Sequence, residues 1–400
     1  ELYHTIRFFI IMLGRFFQEV LILVIPFLFV KAREIHRGSE DSCTDENVCV
    51  TEENNRFPSS LHRLEAQNFE LVLESSKIKL KFESISQNPP IFTADNFLSP
   101  EECDHFIHLA EQQGLLESET MTGKRGKFRI LDTDRDKRLS INEMMLTIEN
   151  AFDIYLEEED ITVLYENFNL DLNQDMYLTP DELNRVKPQQ IQAYLQEFVA
   201  QSPSKKSRFS QQVWLKPSTS TDLIFKKVQD RVQELMQVPT ELIMSSSFQV
   251  VRYGPHGHYN AHLDSSQLEE ASQCCSEEVK SNCRLCRYAT ILFYLNDVTE
   301  GGETAFPLAN NISYDIHKFR EEHLVNLQRF CSKANLIVKP EKGKIILWYN
   351  HFVDEETGGL GALDELTWHG GCPVLQGEKW VANFWIIASE KASKNIKSEP

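Results

Sequence analysis

His262-Leu263-Asp264 and, far along the chain, His369 in Trp368-His369-Gly370-Gly371-Cys372-Pro373 are the residues best suited to hold a divalent metal. A lone His-x-Asp is common by chance in a chain with 12 histidines, so its setting carries the weight. It follows the strand-like run Phe248-Gln-Val-Val-Arg-Tyr253 and a glycine-containing turn, and His369 stands just before the last strand-like run. Two imidazoles and one carboxylate on one face leave three metal positions open. That suits Fe(II), which must take a cosubstrate and O2 together. Zinc hydrolases use the same donors, so the triad alone does not choose the metal. Lys379 narrows the choice. It lies ten residues after His369, across a turn, and opens the apolar stretch Trp380-Val-Ala-Asn-Phe-Trp385. A cation at the base of such a pocket can pair with the distal carboxylate of a metal-bound dicarboxylate. An isolated lysine is usually a solvated surface residue, and the fixed offset from a candidate ligand reverses that preference.

A second chemistry resides in two acidic loops. Asp132, Asp134, Asp136, Ser140 and Glu143 supply oxygens at positions 1, 3, 5, 9 and 12 of a 12-residue loop, with the Arg138 carbonyl at position 7. Asp171, Asn173, Asp175, Tyr177, Thr179 and Glu182 repeat the pattern 39 residues later. Leu139 and Leu178 take the apolar position at which paired loops join through a short ribbon. This spacing resembles an EF-hand pair and implies Ca²⁺ binding. One departure weakens it: Lys137 and Met176 stand where the sharp turn wants glycine. A degenerate pair that is purely structural stays open.

The elements that must position these groups follow from the apolar pattern. With 400 residues, 41% hydrophobic and 25% charged, the chain is an ordinary globular one of two or three domains, neither disordered nor collagen-like nor multi-spanning. A net charge of −19 makes nucleic acid a poor partner. Residues 67–93 alternate as strands. Ser99-Pro100-Glu101-Glu102 opens a helix with a capping box, and Gly114 ends it. Residues 120–200 read as helix, acidic loop, helix, twice over; 222–240 is a further helix. Strands are expected at 247–253, 287–296, 335–339, 344–349 and 379–387, separated by glycine turns, which indicates a sandwich or barrel. A polar, Cys-rich insertion at 265–285 and a helical one at 308–334 interrupt them. The expected division is 1–31 hydrophobic segment, 32–60 linker, 61–118 N-terminal part of the catalytic domain, 119–200 acidic-loop pair, 201–221 linker, 222–390 metal domain and 391–400 tail.

Residues 8–30 are largely apolar, with an unbroken stretch of 11 at 20–30. A span needs about 20 apolar residues, so a membrane anchor, a cleaved signal and a buried helix all remain open, with the anchor or signal favoured. Five of the nine cysteines fall between Cys274 and Cys331, which points to disulfides in an oxidising lumen and leaves one thiol over. Asn311-Ile312-Ser313 is a glycosylation sequon that agrees with this compartment.

The stretch from Gln249-Val-Val-Arg-Tyr-Gly254 to His262-Leu-Asp264 resembles the prolyl 4-hydroxylases of the 2-oxoglutarate dioxygenase superfamily. So do Arg287-Tyr-Ala-Thr-Ile-Leu-Phe-Tyr-Leu-Asn296, Gly301-Gly-Glu-Thr-Ala-Phe-Pro307, Gly343-Lys-Ile-Ile-Leu-Trp-Tyr-Asn350 and His369-Gly-Gly-Cys-Pro-Val374. These motifs cover about 245–388. An EF-hand pair ahead of them, behind a hydrophobic segment, is similar to a membrane-anchored branch of that family and extends the likeness to 85–390. The resemblance implies an α+β chain: a double-stranded β-helix (jelly-roll) catalytic core preceded by a helical EF-hand pair domain. It implies Fe(II) on His262, Asp264 and His369, with 2-oxoglutarate paired to Lys379. Tyr253 and Thr290 take positions of cosubstrate contacts, Tyr294 and Trp385 line the same pocket, and Glu303 is a candidate near the metal. The implied reaction converts 2-oxoglutarate and O2 to succinate and CO2 and hydroxylates C4 of a prolyl residue in a protein substrate, with ascorbate maintaining the iron. The two insertions are expected to wall the peptide groove. The implied location is the endoplasmic reticulum membrane, single-pass, with a lumenal catalytic domain. The oligomeric state stays open, a dimer included. Competing readings are a Ca²⁺-dependent binding module on an inactive fold, and a dioxygenase acting on another residue type.

Overall fold

Strand alternation decides which core each side chain joins. In the run 345–349, Ile345, Leu347 and Tyr349 enter one apolar cluster and Ile346 and Trp348 enter another, because successive side chains point to opposite faces. A strand buried on both faces therefore reads as continuous apolar sequence, and this one stands inside a sheet. The computed structural model describes residues 42–44, 48–50, 61–118, 130–216, 222–238, 243, 246–267 and 285–389. The hydrophobic segment at 8–30, residues 268–284 of the Cys-rich insertion and the tail at 391–400 lie outside the described residues. Among the described residues no helix is long and apolar enough to cross a membrane.

Fourteen strands build the two main sheets. They begin with β1 (Phe69–Leu73), β2 (Ile78–Gln87), β3 (Pro90–Ala94), β4 (Leu116–Glu117), β5 (Arg208–Phe209), β6 (Gln211–Leu215) and β7 (Phe248–Tyr253). They continue with β8 (His258–His262), β9 (Leu285–Tyr294), β10 (Thr304–Phe306), β11 (Leu336–Val338), β12 (Ile345–Tyr349), β13 (His369–Gly371) and β14 (Lys379–Ser389). The nine-stranded sheet runs β1-β2-β3-β12-β9-β14-β7-β6-β4, and the five-stranded sheet runs β11-β10-β13-β8-β5. Val251, Leu292, Tyr294, Trp348 and Val381 of the large sheet pack with Phe306 and Val338 of the small one, forming the core of a jelly-roll-like sandwich. Helices α1 (Pro100–Gln113) and α6 (Leu223–Met236) cover the outer face of the large sheet through Phe106, Phe225, Val228 and Val232. Helix α1 starts and stops where its sequence says. Ser99 accepts from the Glu102 amide, Glu102 accepts from the Ser99 amide, and Gly114 ends the helix with φ of +85°.

Between α1 and β5 lies a helical module of α2 (Ile141–Phe152), α3 (Glu158–Phe168), α4 (Pro180–Leu183) and α5 (Pro188–Gln201) around Met144, Ile148, Leu164, Ile191 and Leu195. Leu139 and Leu178 pair directly in a two-residue ribbon joining the acidic loops. The module docks on the 308–334 insertion, which forms α7 (Ile316–Glu321) and α8 (Leu327–Phe330). Tyr155 is buried with Phe319, Val325 and Leu327, His323 lies between Glu149 and Asn142, and Arg329 pairs with Glu157 at 2.9 Å.

One expectation is corrected here. The stretch 201–221 does not serve simply as a linker: it contains β5 and β6, and β6 pairs with β7 in the register Trp214 opposite Gln249. Its Ser- and Lys-rich start masked the alternation in Gln211-Gln-Val-Trp-Leu215. Strands β8, β10 and β13 carry no strand pattern in sequence: β8 and β13 are short and rich in polar residues or glycine, and β10 is only three residues long.

Candidate active site

The small sheet assembles the triad. β8 and β13 run antiparallel with His262 directly opposite His369, and the two rings lie 4.5 Å apart between centroids. Asp264, two residues after His262, returns to the same side. Its Oδ1 is 3.7 Å from His262 Nε2 and its Oδ2 is 3.6 Å from His369 Nε2. Gly370 permits this close pairing, since a Cβ there would lie 2.4 Å from the Tyr259 carbonyl.

Each donor atom is aimed by a second bond. His262 Nδ1 meets the Asn260 carbonyl at 3.0 Å and His369 Nδ1 meets the Thr367 carbonyl at 2.8 Å. A carbonyl only accepts, so both Nδ1 atoms carry the proton and both Nε2 lone pairs face Asp264. Asp264 Oδ2 accepts from Thr290 Oγ1 at 2.8 Å and from Trp385 Nε1 at 3.0 Å, which leaves Oδ1 for a metal. Burial acts to raise the Asp264 carboxyl, but His369, His262 and Arg287 outweigh it and hold it far below the carboxylate range. Burial also pushes His369 down to about 4, against the opposing pull of Asp264, so its imidazole is neutral. A neutral His369 imidazole and an ionised carboxylate beside the His262 ring, with open positions, fit a ferrous ion.

Lys379 opens β14 opposite Tyr253 and is 2% exposed. Its Nζ lies 3.5 Å from Thr304 Oγ1 and over the rings of Tyr253 and Tyr294, and no carboxylate bonds it among the described residues. Burial pulls its pKa down to about 7, with Glu303 acting the other way. One cavity of about 800 Å³ is lined by the triad, Lys379, Tyr253, Thr304 and Trp385. Thr290 and Tyr294 stand one layer behind its wall: Thr290 bonds Asp264, and the Tyr294 hydroxyl donates to Thr304 at 2.7 Å.

Glu303 is placed differently from expectation. Its carboxylate groups with the sulfurs of Cys331 and Cys372, not with the triad. The reason is alternation: Thr304 faces Lys379, so its neighbour turns away. Sequence reasoning missed Thr304, the Asn350 amide that bonds Thr290 at 3.0 Å, and Arg287, whose guanidinium lies 3.8 Å from the Trp385 ring. It also missed that Leu146, Glu149, Asn150 and Asp153 of the helical module line the same cavity. The first three fall inside the family-like stretches Arg287–Asn296, Gly301–Pro307 and Gly343–Asn350; no local signal places a distant helix there.

In the first acidic loop, carboxylate oxygens of Asp132, Asp134 and Asp136 lie within 4.8 Å of one another, and Asp132 Oδ1 is buried without a hydrogen-bond partner. Glu143 accepts from Thr133 and Ser140, and the Arg138 amide donates to Asp136. The second loop repeats this, with the Asp175 amide on Asp171 and Asn173, the Tyr177 amide on Asp175, and Thr179 bonded to Glu182. Lys137 and Met176 take φ of +67° and +63°, the left-handed turn anticipated for these positions. Cys331 and Cys372 form a disulfide, Cys286 is disulfide-bonded, and Cys103 is a buried free thiol whose pKa burial pushes up to about 12.

Comparison with known proteins agrees with this geometry. Residues 248–387 match the 2OG-Fe(II) oxygenase superfamily. The transmembrane prolyl 4-hydroxylase of Homo sapiens is 34% identical over 324 residues, 76% of this chain and 64% of that protein. The chain thus spans less than two thirds of that relative's length. The probable prolyl 4-hydroxylase 4 of Arabidopsis thaliana is 34% identical over 194 residues, 47% of this chain and 57% of that protein. A solved viral collagen prolyl hydroxylase from Paramecium Bursaria Chlorella virus-1, in a 2OG complex, is 21% identical with a TM-score of 0.36, covering 74% of this chain and 95% of that one. Family match, triad and buried lysine coincide on one segment: residues 248–387 are similar to the 2OG-Fe(II) oxygenase superfamily.

Proposed function

We propose that the chain is a peptidyl-prolyl 4-hydroxylase that couples oxidative decarboxylation of 2-oxoglutarate to hydroxylation of prolines in a protein substrate. The observation that carries this reading is Lys379, a buried amine without a bonded carboxylate, in the cavity that also holds a two-histidine, one-carboxylate triad. Burying an unpaired cation costs several kcal/mol, and an anionic cosubstrate offsets that cost. Relatives at 34% identity that are prolyl 4-hydroxylases favour proline as the residue modified.

Fe(II), when bound, supplies the redox centre for O2 and 2-oxoglutarate, and ascorbate keeps it reduced. His262, His369 and Asp264 Oδ1 would hold it. Thr290 and Trp385 fix the Asp264 carboxylate so that one oxygen points inward. Lys379 and Thr304 would receive the distal carboxylate of the cosubstrate, and Tyr253 with its neighbours excludes water beside it.

We further infer that the helical module is an EF-hand pair that takes Ca²⁺ on Asp132, Asp134, Asp136, Arg138, Ser140 and Glu143, and more weakly on the second loop. The unpartnered Asp132 oxygen supports the first site. Glu143 opens α2, and Glu149 and Asn150 of that helix line the cavity, so Ca²⁺ would steady one wall of it. The Cys331–Cys372 disulfide, the Asn311 sequon and the transmembrane relative support a lumenal catalytic domain anchored through 8–30. The test is succinate formation by the purified chain with Fe(II), ascorbate, O2 and 2-oxoglutarate, then mass detection of +16 Da on prolyl peptides. Activity that survives His262→Ala or Lys379→Ala refutes the reading.

A further inference from the structure

Three carboxamides stand in a row on the cavity face of the large sheet: Gln212 on β6, Gln249 on β7 and Asn383 on β14. Gln249 is directly opposite Asn383, and Trp214 is directly opposite Gln249, so alternation brings Gln212, Trp214, Gln249, Asn383 and Trp385 to one face. The amides are bonded in series. Asn383 Nδ2 donates to Gln249 Oε1 at 3.1 Å, and Gln249 Nε2 donates to Gln212 Oε1 at 2.5 Å.

Arg208 sets the polarity of the whole row. Its Nη2 donates to the same Gln212 oxygen at 3.2 Å, and a guanidinium can only donate. The Gln212 oxygen must therefore face inward. Turning any one amide over would set donor against donor or acceptor against acceptor. The row ends in two groups without a partner among the described residues: the Nε2 of Gln212, a donor, and the Oδ1 of Asn383, an acceptor. Neither has a role in holding the metal or the cosubstrate. Both residues line the cavity that holds the triad, and Trp385, two residues past Asn383, donates to Asp264 with its ring 5.6 Å from that of Trp214.

β6, β7 and β14 are consecutive neighbours in the sheet. Gln212 is opposite Val251, two residues along β7 from Gln249, so the row runs about 9.6 Å across the strands and about 6.8 Å along them, about 12 Å in all. A polyproline-type extended chain rises about 3.1 Å per residue and leaves its backbone groups unpaired, so about four residues of substrate cover the row.

We propose that this amide ladder, flanked by Trp214 and Trp385, is the subsite that binds the substrate backbone next to the target proline. It rests on the prolyl-hydroxylase reading. Asn383 Oδ1 accepts from one backbone N–H near the reacting ring, and Gln212 Nε2 donates to a carbonyl about four residues away. Proline has no N–H, so the residue facing Asn383 must be a non-proline neighbour. The ladder thus selects an isolated proline over a run of prolines at that position.

The test uses the full chain loaded with Mn(II) and 2-oxoglutarate, and a host peptide in which the Fe(II) enzyme hydroxylates a single proline. Each neighbouring amide of the host is replaced in turn by an ester, which removes one N–H, and binding is measured by calorimetry. One ester position should weaken binding to the wild-type chain about tenfold. That penalty should vanish in Asn383→Leu and persist in Asn383→Asp, which keeps an acceptor. Gln212→Glu, which replaces the free donor by an acceptor, should weaken the unmodified host. Lack of any sensitive position, or a penalty that persists in Asn383→Leu, overturns the ladder. Failure of the Fe(II) enzyme to hydroxylate any prolyl host while it still consumes 2-oxoglutarate overturns the prolyl reading, and the subsite with it.

Discussion

Cosubstrate binding is expected to draw a proton onto Lys379. Burial holds this amine at about 7, against an ordinary value of 10.5. Below 7 it is charged and above 7 it is neutral in the empty pocket, whereas a bound carboxylate keeps it charged. At pH 8 the empty site then carries about 0.1 proton on Nζ, so binding takes up about 0.9; at pH 6 uptake falls to about 0.1. The same shift acts on stability. Between pH 7 and 10.5 the unfolded chain holds a proton that the folded one lacks, so the empty protein loses stability as pH falls through that window, and 2-oxoglutarate restores it. The assay is calorimetric titration of 2-oxoglutarate into Mn(II)-loaded protein at pH 8 in phosphate and in Tris, whose ionisation heats differ. Lys379→Met should abolish the buffer dependence and weaken binding about 10- to 150-fold, the loss of one charge-assisted hydrogen bond. Equal heats in the two buffers, or wild-type affinity in Lys379→Met, would show that this lysine does not receive the cosubstrate.

Other perturbations probe the supports of the site. Thr290→Val and Trp385→Phe each remove a donor from Asp264 Oδ2 and should weaken Fe(II) or Co(II) binding about 10- to 100-fold, read by competition with a chelating dye. Replacing both Cys331 and Cys372 by alanine opens a loop of sequence separation 41 and should cost up to about 4 kcal/mol in urea unfolding; an unchanged midpoint would mean that the cross-link does not constrain the unfolded chain. Lys137→Gly relieves a left-handed residue and should raise the stability of the chain by about 1 kcal/mol. Glu143→Gln removes one charge from the first acidic loop and should abolish the rise in melting temperature that Ca²⁺ gives the wild-type chain; an equal rise in both would remove Glu143 from the ligand set.

The sequence by itself determined whatever depends on neighbours along the chain. The capping box at Ser99, the left-handed turns at Lys137 and Met176, the apolar strands and the His-x-Asp spacing are all local, and local sterics and alternation decide them. Recognition of His369 and Lys379 needed the motif context as well, because nothing in their own spacing from His262 brings them near it. Only the tertiary structure decided the rest. Pairing of β8 with β13 sets His262 against His369, and β14 delivers Lys379 and Trp385 to opposite ends of one cavity. The turn of Glu303 away from the metal, the recruitment of 211–215 into the large sheet, the wall supplied by α2 and the polarity of the amide ladder all arise from contacts between segments far apart in sequence. Such contacts are chosen by which surfaces can be buried together with every polar group satisfied, and that choice is made over the whole chain at once.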